Sequence, residues 1–407
     1  MRRRDFLCLT AAAAAKMAAA KGSARISRIS ITPIEGRFHK KVAMNAYDQA
    51  PKGETYATHL LRVFTAQGPS GTGTLDYSTP DKPMLESLRT LIGADPLELY
   101  EVRNGRILAG RNPALAKYRF LDSALFDLVG QILNVPCHEL IGPSARERVE
   151  AYDGTLYFSD IMIPEKGVGA VVAEAEEAVR SGYRSLKLKV GRCDKWMPGL
   201  AGVLRDIEVV NAVRRAVGPE VKIMADANNG YRGRLQLAWR FLSETQKSNL
   251  FWIEEIFPED PELYARLRQK MRQAGMKTLI ADGENMRSAD ELRPYLKPRT
   301  IDVSQLDIRR AGFLGNRAAA ELAAENGGFC VPHNWGSQIG GLMILHFAKA
   351  VPAAITAEDD RSRCDAIIAG DYEFRDGFYR LPKTPGLSLR VNETVYQTKY
   401  KSKEIAV

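Results

Sequence analysis

The sequence contains little cysteine and little histidine, and it lacks a long apolar run. Its 407 residues include only five cysteines and five histidines. The cysteines are widely spaced and form no Cys-x-x-Cys pair, so neither a thiolate zinc site nor a dense disulfide framework is indicated. No apolar run reaches the roughly 20 residues that a membrane-spanning helix needs, so no membrane span is expected. The cysteines are Cys8, Cys137, Cys193, Cys330 and Cys364.

A strong charge of either sign is also missing. The net charge is +9, and residues 1–24 contribute +4 of it, with five basic residues against Asp5. The remaining basic residues are scattered and form no patch interleaved with aromatics, which argues against a nucleic-acid partner. A mild positive balance suits a small anionic substrate. The length and the hydrophobic fraction of 45% fit one large α/β barrel with a second domain.

Residues 1–24 have the composition of an export signal. Three arginines, Arg2–Arg4, precede a short alanine-rich stretch that ends in small residues at positions 22–24. The arginines followed by Phe6 and Leu7 resemble a bacterial twin-arginine (Tat) signal. This predicts a periplasmic or exported protein, or a cytoplasmic one if the signal is not used. We therefore exclude this segment from the fold prediction.

Residues 25–148 predict a small α+β domain. Arg25–Glu35 alternates apolar and polar residues, which predicts a strand. The polar stretch Gly36–Thr58 predicts a loop of about twenty residues, a length that is typical of functional loops. A hairpin and three helical patterns follow. The hairpin joins His59–Ala66 to Gly71–Tyr77, and the helical patterns are Lys82–Leu91, Pro96–Val102 and Ala114–Leu133.

Residues 149–360 alternate short apolar runs with helical patterns, which predicts a parallel (β/α) barrel. In this fold the active site lies at the carboxyl ends of the strands, so the residue that ends each run is a candidate functional residue. The second to eighth runs each carry an ionisable residue at or just after the carboxyl end. The eight runs are Val149–Ala151, Ser185–Val190, Val221–Ala225, Leu250–Ile253, Thr278–Ala281, Ile301–Leu306, Phe329–Val331 and Ala354–Ala357.

Three acidic residues, Asp226, Glu254 and Glu284, end three neighbouring predicted strands. Carboxylates brought this close repel one another, and a hard divalent cation such as Mg²⁺ removes the repulsion. The sequence therefore predicts a magnesium site, with three separate ion pairs as the alternative. Asn228 follows the first of these strands and is a candidate substrate-binding residue.

Two lysines, Lys187 and Lys189, lie two positions apart on the second predicted strand. Alternating residues of a strand share a face, so both ammonium groups are expected to point the same way. Like charges and a nearby cation lower the pKa of a buried lysine, so one of the two can act as a general base. Two solvated lysines at a strand end are the alternative.

The last three predicted strands end in Asp307, His333 and Glu358. An aspartate that binds one imidazole nitrogen fixes the tautomer of the histidine and raises its basicity. Asp307 and His333 therefore predict a general acid–base dyad.

Five short motifs in this order resemble the enolase superfamily, in its mandelate racemase and muconate-lactonising branch. The resemblance covers nearly all of residues 25–395. It implies a capping domain formed by residues 25–148 and a modified (β/α)₇β barrel at 149–360, with residues 361–407 returning to the cap. The motifs are Leu121–Pro136, Ser185–Val190, Asp206–Asn228, Phe251–Glu255 and Gly283–Asn285.

The resemblance also implies the chemistry, which is abstraction of a proton α to a substrate carboxylate. It assigns Mg²⁺ to Asp226, Glu254 and Glu284, with Glu254 chosen over its neighbour. It places Lys189 and His333 on opposite sides of the substrate as the acid–base groups. Lys187 and Glu358 would then stabilise the enolate. It makes the predicted loop Gly36–Thr58 the capping-domain loop that closes on the substrate. The candidate contacts from this loop are Phe38, His39, Asn45 and Tyr47.

Three functions stay open at this point. Dehydration of a sugar acid is favoured, because acid-sugar dehydratases are common in the subgroup with an Asp–His dyad. A racemase or epimerase of a 2-hydroxy acid is the second, and an exported sugar-acid binding protein without catalysis is the third. The protein would be a lyase or an isomerase in the first two cases. In each case the partner is a small carboxylate, and a homo-oligomer is compatible with the sequence.

Overall fold

The computed structural model describes residues 24–76 and 78–407. Within these ranges the chain forms an antiparallel sheet with helices and a larger, mainly parallel sheet flanked by helices. No helix of these ranges is both long and apolar enough to cross a membrane. The predicted export signal lies outside the described residues, apart from Ala24.

The smaller sheet is built on two long antiparallel strands, Ile26–Val42 and Gly53–Thr65. Ser70–Thr74 pairs with the second strand, which confirms the predicted hairpin. The predicted loop Gly36–Thr58 is wrong for most of its length, because both strands continue through it and only residues 43–52 connect them. The strands continue because Phe38 is buried in an aromatic cluster, which fixes the face of an otherwise polar segment.

The helix Leu121–Leu133 packs directly on this sheet. A Cβ atom on Gly73 would lie 2.2 Å from the Ser123 hydroxyl oxygen, so the close approach requires glycine there. The predicted helix Pro96–Val102 is wrong, because Tyr100–Arg103 is a strand that pairs with Arg106–Gly110. The other helices of this region are Lys82–Arg89, Pro113–Lys117 and Cys137–Ile141.

Asp127 of this helix joins three segments of the chain. Its carboxylate accepts hydrogen bonds from the backbone N–H groups of Thr72 at 2.8 Å and Leu387 at 2.7 Å, and from the Gln131 amide at 2.9 Å. The carboxylate is buried, so its loss would leave both backbone donors without a partner inside the protein.

We expect Asp127→Ala to lower the free energy of unfolding by about 3 kcal/mol, since each unsatisfied buried donor costs roughly 1–3 kcal/mol. Urea unfolding followed by circular dichroism measures the change. Asp371→Ala, at an exposed aspartate, is the matched control. Equal stabilities of the two variants would contradict the joining role of Asp127.

The larger sheet contains eight parallel strands, of which the first seven lie side by side in chain order, and the predicted alternation with helices is confirmed. The eighth strand pairs with the first, as at Glu358 opposite Tyr152, and Cys330 forms a parallel bridge with Ala354. The strands are Val149–Leu156, Ser185–Lys189, Lys222–Asp226, Trp252–Glu254, Leu279–Asp282, Val303–Ser304, Phe329–Cys330 and Ala357–Asp359.

The helices that alternate with these strands cover one face of the sheet. Leu186 and Leu188 pack there among residues of the helices. The opposite face carries a small cluster that includes Tyr152, Met224 and Trp252. The helices are Ser159–Met162, Val168–Arg180, Leu200–Val217, Leu235–Glu244, Pro261–Gln273, Ala289–Leu296, Ile308–Glu325 and Gln338–Ala350.

The C-terminal segment contacts both sheets. Phe378–Arg380 pairs antiparallel with the first strand of the larger sheet and with Glu373–Arg375, and this hairpin is not foreseen from the sequence. Ile405–Ala406 pairs with Ser30 and Ile31 of the smaller sheet. The domain boundaries at residues 148 and 360 stay an interpretation. The remaining elements of this segment are Ile367–Ala369, Leu389–Val391, Glu393–Val395, Tyr396–Tyr400 and Lys401–Lys403.

A buried histidine pair lies near this segment. The backbone N–H of His138 donates to His346 Nδ1 at 3.1 Å, and His346 Nε2 lies 2.8 Å from the Tyr372 hydroxyl, which itself donates to the Leu387 carbonyl at 2.6 Å. These bonds fix His346 as the neutral Nε2–H tautomer. Burial lowers the pKa of His346 well below its usual value, and burial lowers the pKa of His138 to about 4.

We expect the contribution of these two histidines to the free energy of unfolding to fall as the pH falls from about 6.5 toward 4. In this window the unfolded histidines bind protons that the folded ones do not, which costs up to about 1.4 kcal/mol per pH unit and proton. His346→Gln should reduce this slope by up to one proton. Urea unfolding at several pH values measures the slope, and identical slopes for both proteins would contradict the assignment.

Candidate active site

The predicted metal ligands end neighbouring strands, and two of them converge on one ammonium group. Lys187 Nζ lies 2.8 Å from Glu254 Oε1 and 3.4 Å from Asp226 Oδ2. Lys189 Nζ also contacts the Asp226 carboxylate. These four side chains are almost completely buried. Glu254 shares the face of the lysines because strand alternation points it that way, and its second oxygen accepts the Trp252 indole N–H at 3.0 Å.

The third predicted ligand, Glu284, lies beside the histidine. Glu284 Oε2 is 3.2 Å from His333 Nε2, and His333 Nδ1 is 3.0 Å from Asp307 Oδ2. The carboxylate of Asp307 also binds Arg309, whose side chain donates at 2.9 Å. Because Asp307 accepts at Nδ1, the Nε2 atom of His333 is the one directed toward Glu284. The contact expected between Asp307 and His333 is therefore present.

The pKa values of this dyad are displaced in opposite directions. Burial lowers the pKa of His333, but the charges of Glu284, Glu358 and Asp307 raise it more, to about 9. Burial raises the pKa of Asp307, but Arg309 and His333 lower it more, so the net pKa lies below its usual value. The two groups therefore form a charged pair at neutral pH.

The lysine pKa values differ from the sequence-based expectation, which was a lowered pKa. Burial lowers the pKa of Lys187, but Glu254 and Glu358 raise it well above the usual value. Burial likewise lowers the pKa of Lys189, and Asp226 raises it to a net value above the usual one. The expectation assumed a cation at these carboxylates, so a lowered lysine pKa stays a prediction for the metal-bound protein. Without the cation, the carboxylates of neighbouring strands outweigh the repulsion between the two lysines.

The eighth strand adds Glu358 to the same cluster. Its Oε1 atom lies 2.7 Å from Lys187 Nζ, and its Oε2 atom accepts the backbone N–H of Asn334 at 3.0 Å. Lys187 is thus held by acidic residues of three strands. The structure therefore brings together the lysines, the acidic residues and the histidine that the sequence predicts at the strand ends.

The donor set fits a hard divalent cation. Three carboxylates, from Asp226, Glu254 and Glu358, contact the two lysines, and the charge of Glu284 also acts on Lys189. Carboxylate oxygens are the ligands that Mg²⁺ prefers. Within the described ranges, the buried Oδ1 atom of Asn228 has no hydrogen-bond partner. Its Nδ2 atom donates to Glu255, so the free oxygen is the atom that remains for a ligand.

A second acidic group lies on the other side of the same strands. Oxygens of Glu255, Glu259 and Asp282 all lie within 4.8 Å of one another and could hold a cation. Strand alternation places Glu255 on the face opposite to Glu254, away from the two lysines. Burial raises the pKa of Glu255 and of Asp282 well above the usual values. This group is therefore separate from the predicted ligands.

An aromatic cluster lies beside the lysines and is not predicted from the sequence. The Trp335 ring is 4.9 Å from the ring of Phe38 and 4.9 Å from that of Tyr157. Lys189 Nζ is 5.2 Å from the centre of the Tyr157 ring, and Lys52 Nζ is 6.0 Å from the same centre. The sequence offered two signals for this cluster: Phe38, named above as a candidate contact, and Trp335, an aromatic two positions after the predicted histidine. The rings form an apolar surface of the kind on which sugars stack.

Known proteins resemble this chain over most of its length. Residues 170–395 match the family described as enolase C-terminal domain-like. The D-xylonate dehydratase of Haloferax volcanii is 26% identical over 363 residues, which cover 83% of this chain and 84% of that protein.

Two solved structures resemble the whole fold. The galacturonate dehydratase of a Geobacillus species, complexed with D-galacturonate and 5-keto-4-deoxy-D-galacturonate, is 28% identical with a TM-score of 0.83, and the match covers 95% of this chain and 99% of that one. A mandelate racemase/muconate lactonizing protein of Geobacillus sp. Y412MC10, complexed with magnesium and tartrate, is 29% identical with a TM-score of 0.81, covering 93% and 95%. The chain is therefore a member of the enolase superfamily, in the branch that holds mandelate racemase and the muconate-lactonising enzymes.

Proposed function

We propose that this protein removes the proton α to the carboxylate of a sugar acid and dehydrates the acid, with Mg²⁺ held by Asp226, Glu254 and Glu284. The observation that supports it most is the placement of the acid–base groups. Lys189 ends the second strand and contacts Asp226, whereas His333 follows the seventh, Phe329–Cys330, and contacts Glu284. A substrate bound at these carboxylates would lie between the two groups.

A magnesium ion at the three carboxylates would stabilise the negative charge that develops on the substrate carboxylate when the proton leaves. With a cation held there, Asp226 would no longer serve as the counterion of Lys189, and the Lys189 amine would be free to accept the α-proton. Lys187, fixed by Glu358 at 2.7 Å, holds a positive charge beside the enolate.

Departure of the β-hydroxyl requires a proton donor on the other side of the substrate. His333 is placed for this step, because Asp307 holds Nδ1 and leaves Nε2 directed into the site. The aromatic cluster around Trp335 would exclude water and stack against the carbon chain. The proposal agrees with the solved dehydratase complex, whose two ligands differ by one water and by a keto group next to the carboxylate.

Racemisation is the second candidate, and one observation favours it. Lys189 lies at the second strand and His333 at the seventh, so the two are expected to contact the substrate from opposite sides. Each could then remove the α-proton of one enantiomer. The third possibility, a binding protein without catalysis, is disfavoured because every expected acid–base group is in place.

We also propose the finer architecture. The pairing of the eighth strand with the first supports a (β/α)₇β barrel at residues 149–360. Residues 25–148 and 361–407 would form the cap, joined through Asp127 and the strand Ile405–Ala406. Export of the folded, metal-loaded protein would fit the twin-arginine pattern of residues 1–24, which rests on the sequence alone.

Assay of a panel of aldonic, aldaric and uronic acids tests the function. With Mg²⁺ present, we expect at least one acid to yield a keto-deoxy acid, detected by its semicarbazone absorbance. Loss of optical activity without keto acid would favour the racemase. No reaction with any acid under both readouts would leave only the binding function.

A further inference from the structure

The segment 43–52, which connects the two long strands of the smaller sheet, is tied to the larger sheet and its helices. We call it the capping loop. Three of its backbone carbonyls accept hydrogen bonds from residues that follow strands of the larger sheet. The pairs are Met44 with the Phe158 N–H at 3.0 Å, Asn45 with the Trp196 indole at 2.8 Å, and Tyr47 with Lys195 Nζ at 2.8 Å.

One side chain of the capping loop makes a different kind of contact. The Tyr47 hydroxyl donates to Glu255 Oε1 at 2.9 Å and accepts from Asn229 Nδ2 at 2.7 Å. Asn285 Nδ2 lies 3.3 Å from the same hydroxyl and donates to Glu255 Oε1 at 2.7 Å. The Tyr47 hydroxyl therefore contacts three residues, each of which follows a different strand.

Those three strands are the ones that end in the proposed metal ligands. Each partner of the hydroxyl lies one to three positions after a ligand, so a shift of the hydroxyl acts on all three strand ends at once. The pairs of partner and ligand are Asn229 with Asp226, Glu255 with Glu254, and Asn285 with Glu284.

A chain of hydrogen bonds leads from the loop to one of the ligands themselves. The second oxygen of Glu255 accepts from Asn228 Nδ2 at 2.9 Å, and the Asn228 backbone N–H donates to Asp226 Oδ1 at 3.0 Å. Glu255 and Asn228 both have positive φ angles, of 43° and 42°, which their surroundings must hold in place. The position of Asp226 is thus linked to the position of Tyr47.

We propose that Tyr47 is a positioning residue that couples closure of the capping loop over the bound acid to the geometry of the metal ligands. This inference rests on the proposed function. Its hydroxyl does not touch the reacting atoms and acts through Glu255 and Asn228. By linkage, a loop that is closed on the acid strengthens metal binding, and bound metal strengthens closure by the same factor.

Calorimetric titration of Mg²⁺ with and without tartrate tests this coupling. Tyr47→Phe removes only the hydroxyl of a side chain that is 40% exposed, so the variant is expected to fold normally, which circular dichroism checks. In the wild type, tartrate should raise the affinity for Mg²⁺. In Tyr47→Phe this enhancement should fall about tenfold, the range expected for loss of one partly buried hydrogen bond.

Lys195→Met is the matched control, because it removes a contact to the Tyr47 carbonyl and leaves the hydroxyl in place. Its tartrate enhancement should equal that of the wild type. If both variants lose the enhancement equally, Tyr47 is only an anchor of the loop and the inference is wrong. If tartrate raises the Mg²⁺ affinity of Tyr47→Phe as much as that of the wild type, the coupling is overturned and the proposed function stands. If the wild type binds no Mg²⁺, the proposed function is overturned as well.

Discussion

Replacing Asp226 with asparagine is expected to lower turnover about 1000-fold. Asp226 is fully buried and contacts both lysines, so its charge would serve both the proposed metal site and the proposed base. The substitution keeps the shape of the side chain and removes one of the three proposed anionic ligands. It also leaves Lys189 without the carboxylate that raises its pKa.

Two measurements separate loss of the metal from loss of the fold. Mg²⁺ should raise the melting temperature of the wild type, because a ligand that binds only the folded state stabilises it. Asp226→Asn should show no such rise while its circular dichroism spectrum stays that of the wild type. Asp194→Asn, which alters an ion pair with the exposed Arg232, is the control and should behave like the wild type. An Asp226→Asn variant with more than a tenth of the activity would contradict the ligand assignment.

Replacing Lys189, the proposed base, or His333, the proposed acid, should lower turnover by a similar factor. The two variants should differ in which step of the reaction is lost. Lys189→Ala is expected to lose exchange of the α-proton with solvent and to keep Mg²⁺ binding, because the three carboxylates remain. His333→Asn is expected to retain exchange and to release no keto acid, because the proton for the leaving hydroxyl is missing. Deuterium incorporation by NMR and keto-acid release are measured on the same samples.

The control for these variants is Lys222→Ala, at the other end of the neighbouring strand and paired with Glu150. If each variant loses exchange from a different enantiomer, the protein is a racemase. If both variants keep full activity, neither residue is the acid or base, and the roles implied by the family resemblance do not hold here.

The sequence predicts the strand ends well because that signal is local. An apolar run fixes a strand, alternation fixes the face of Lys187 and Lys189, and the fold class fixes which strand end matters. Strand alternation also predicts that only one of Glu254 and Glu255 faces the lysines. The structure places the two side chains on opposite faces of the strand. No contact between distant residues is needed for any of these inferences.

Other features depend on contacts that a sequence pattern does not contain. The raised lysine pKa values come from carboxylates of neighbouring strands, and the meeting of Tyr47 with Glu255 joins two separate parts of the fold. The length of the first two strands depends on the burial of Phe38. One miss was avoidable, because Asn104-Gly105 is a strong signal for the tight hairpin between Tyr100–Arg103 and Arg106–Gly110.

The central claim is metal-assisted removal of a proton α to a carboxylate, and exchange of that proton with D₂O tests it most directly. We expect the acid that the panel identifies to incorporate deuterium at the α-carbon, or its keto-deoxy product to form, only when Mg²⁺ is present. Chelation with EDTA should stop the reaction, and added Mg²⁺ should restore it. A reaction that continues at the same rate in EDTA, or cleavage of the acid without loss of its α-proton, would contradict the account.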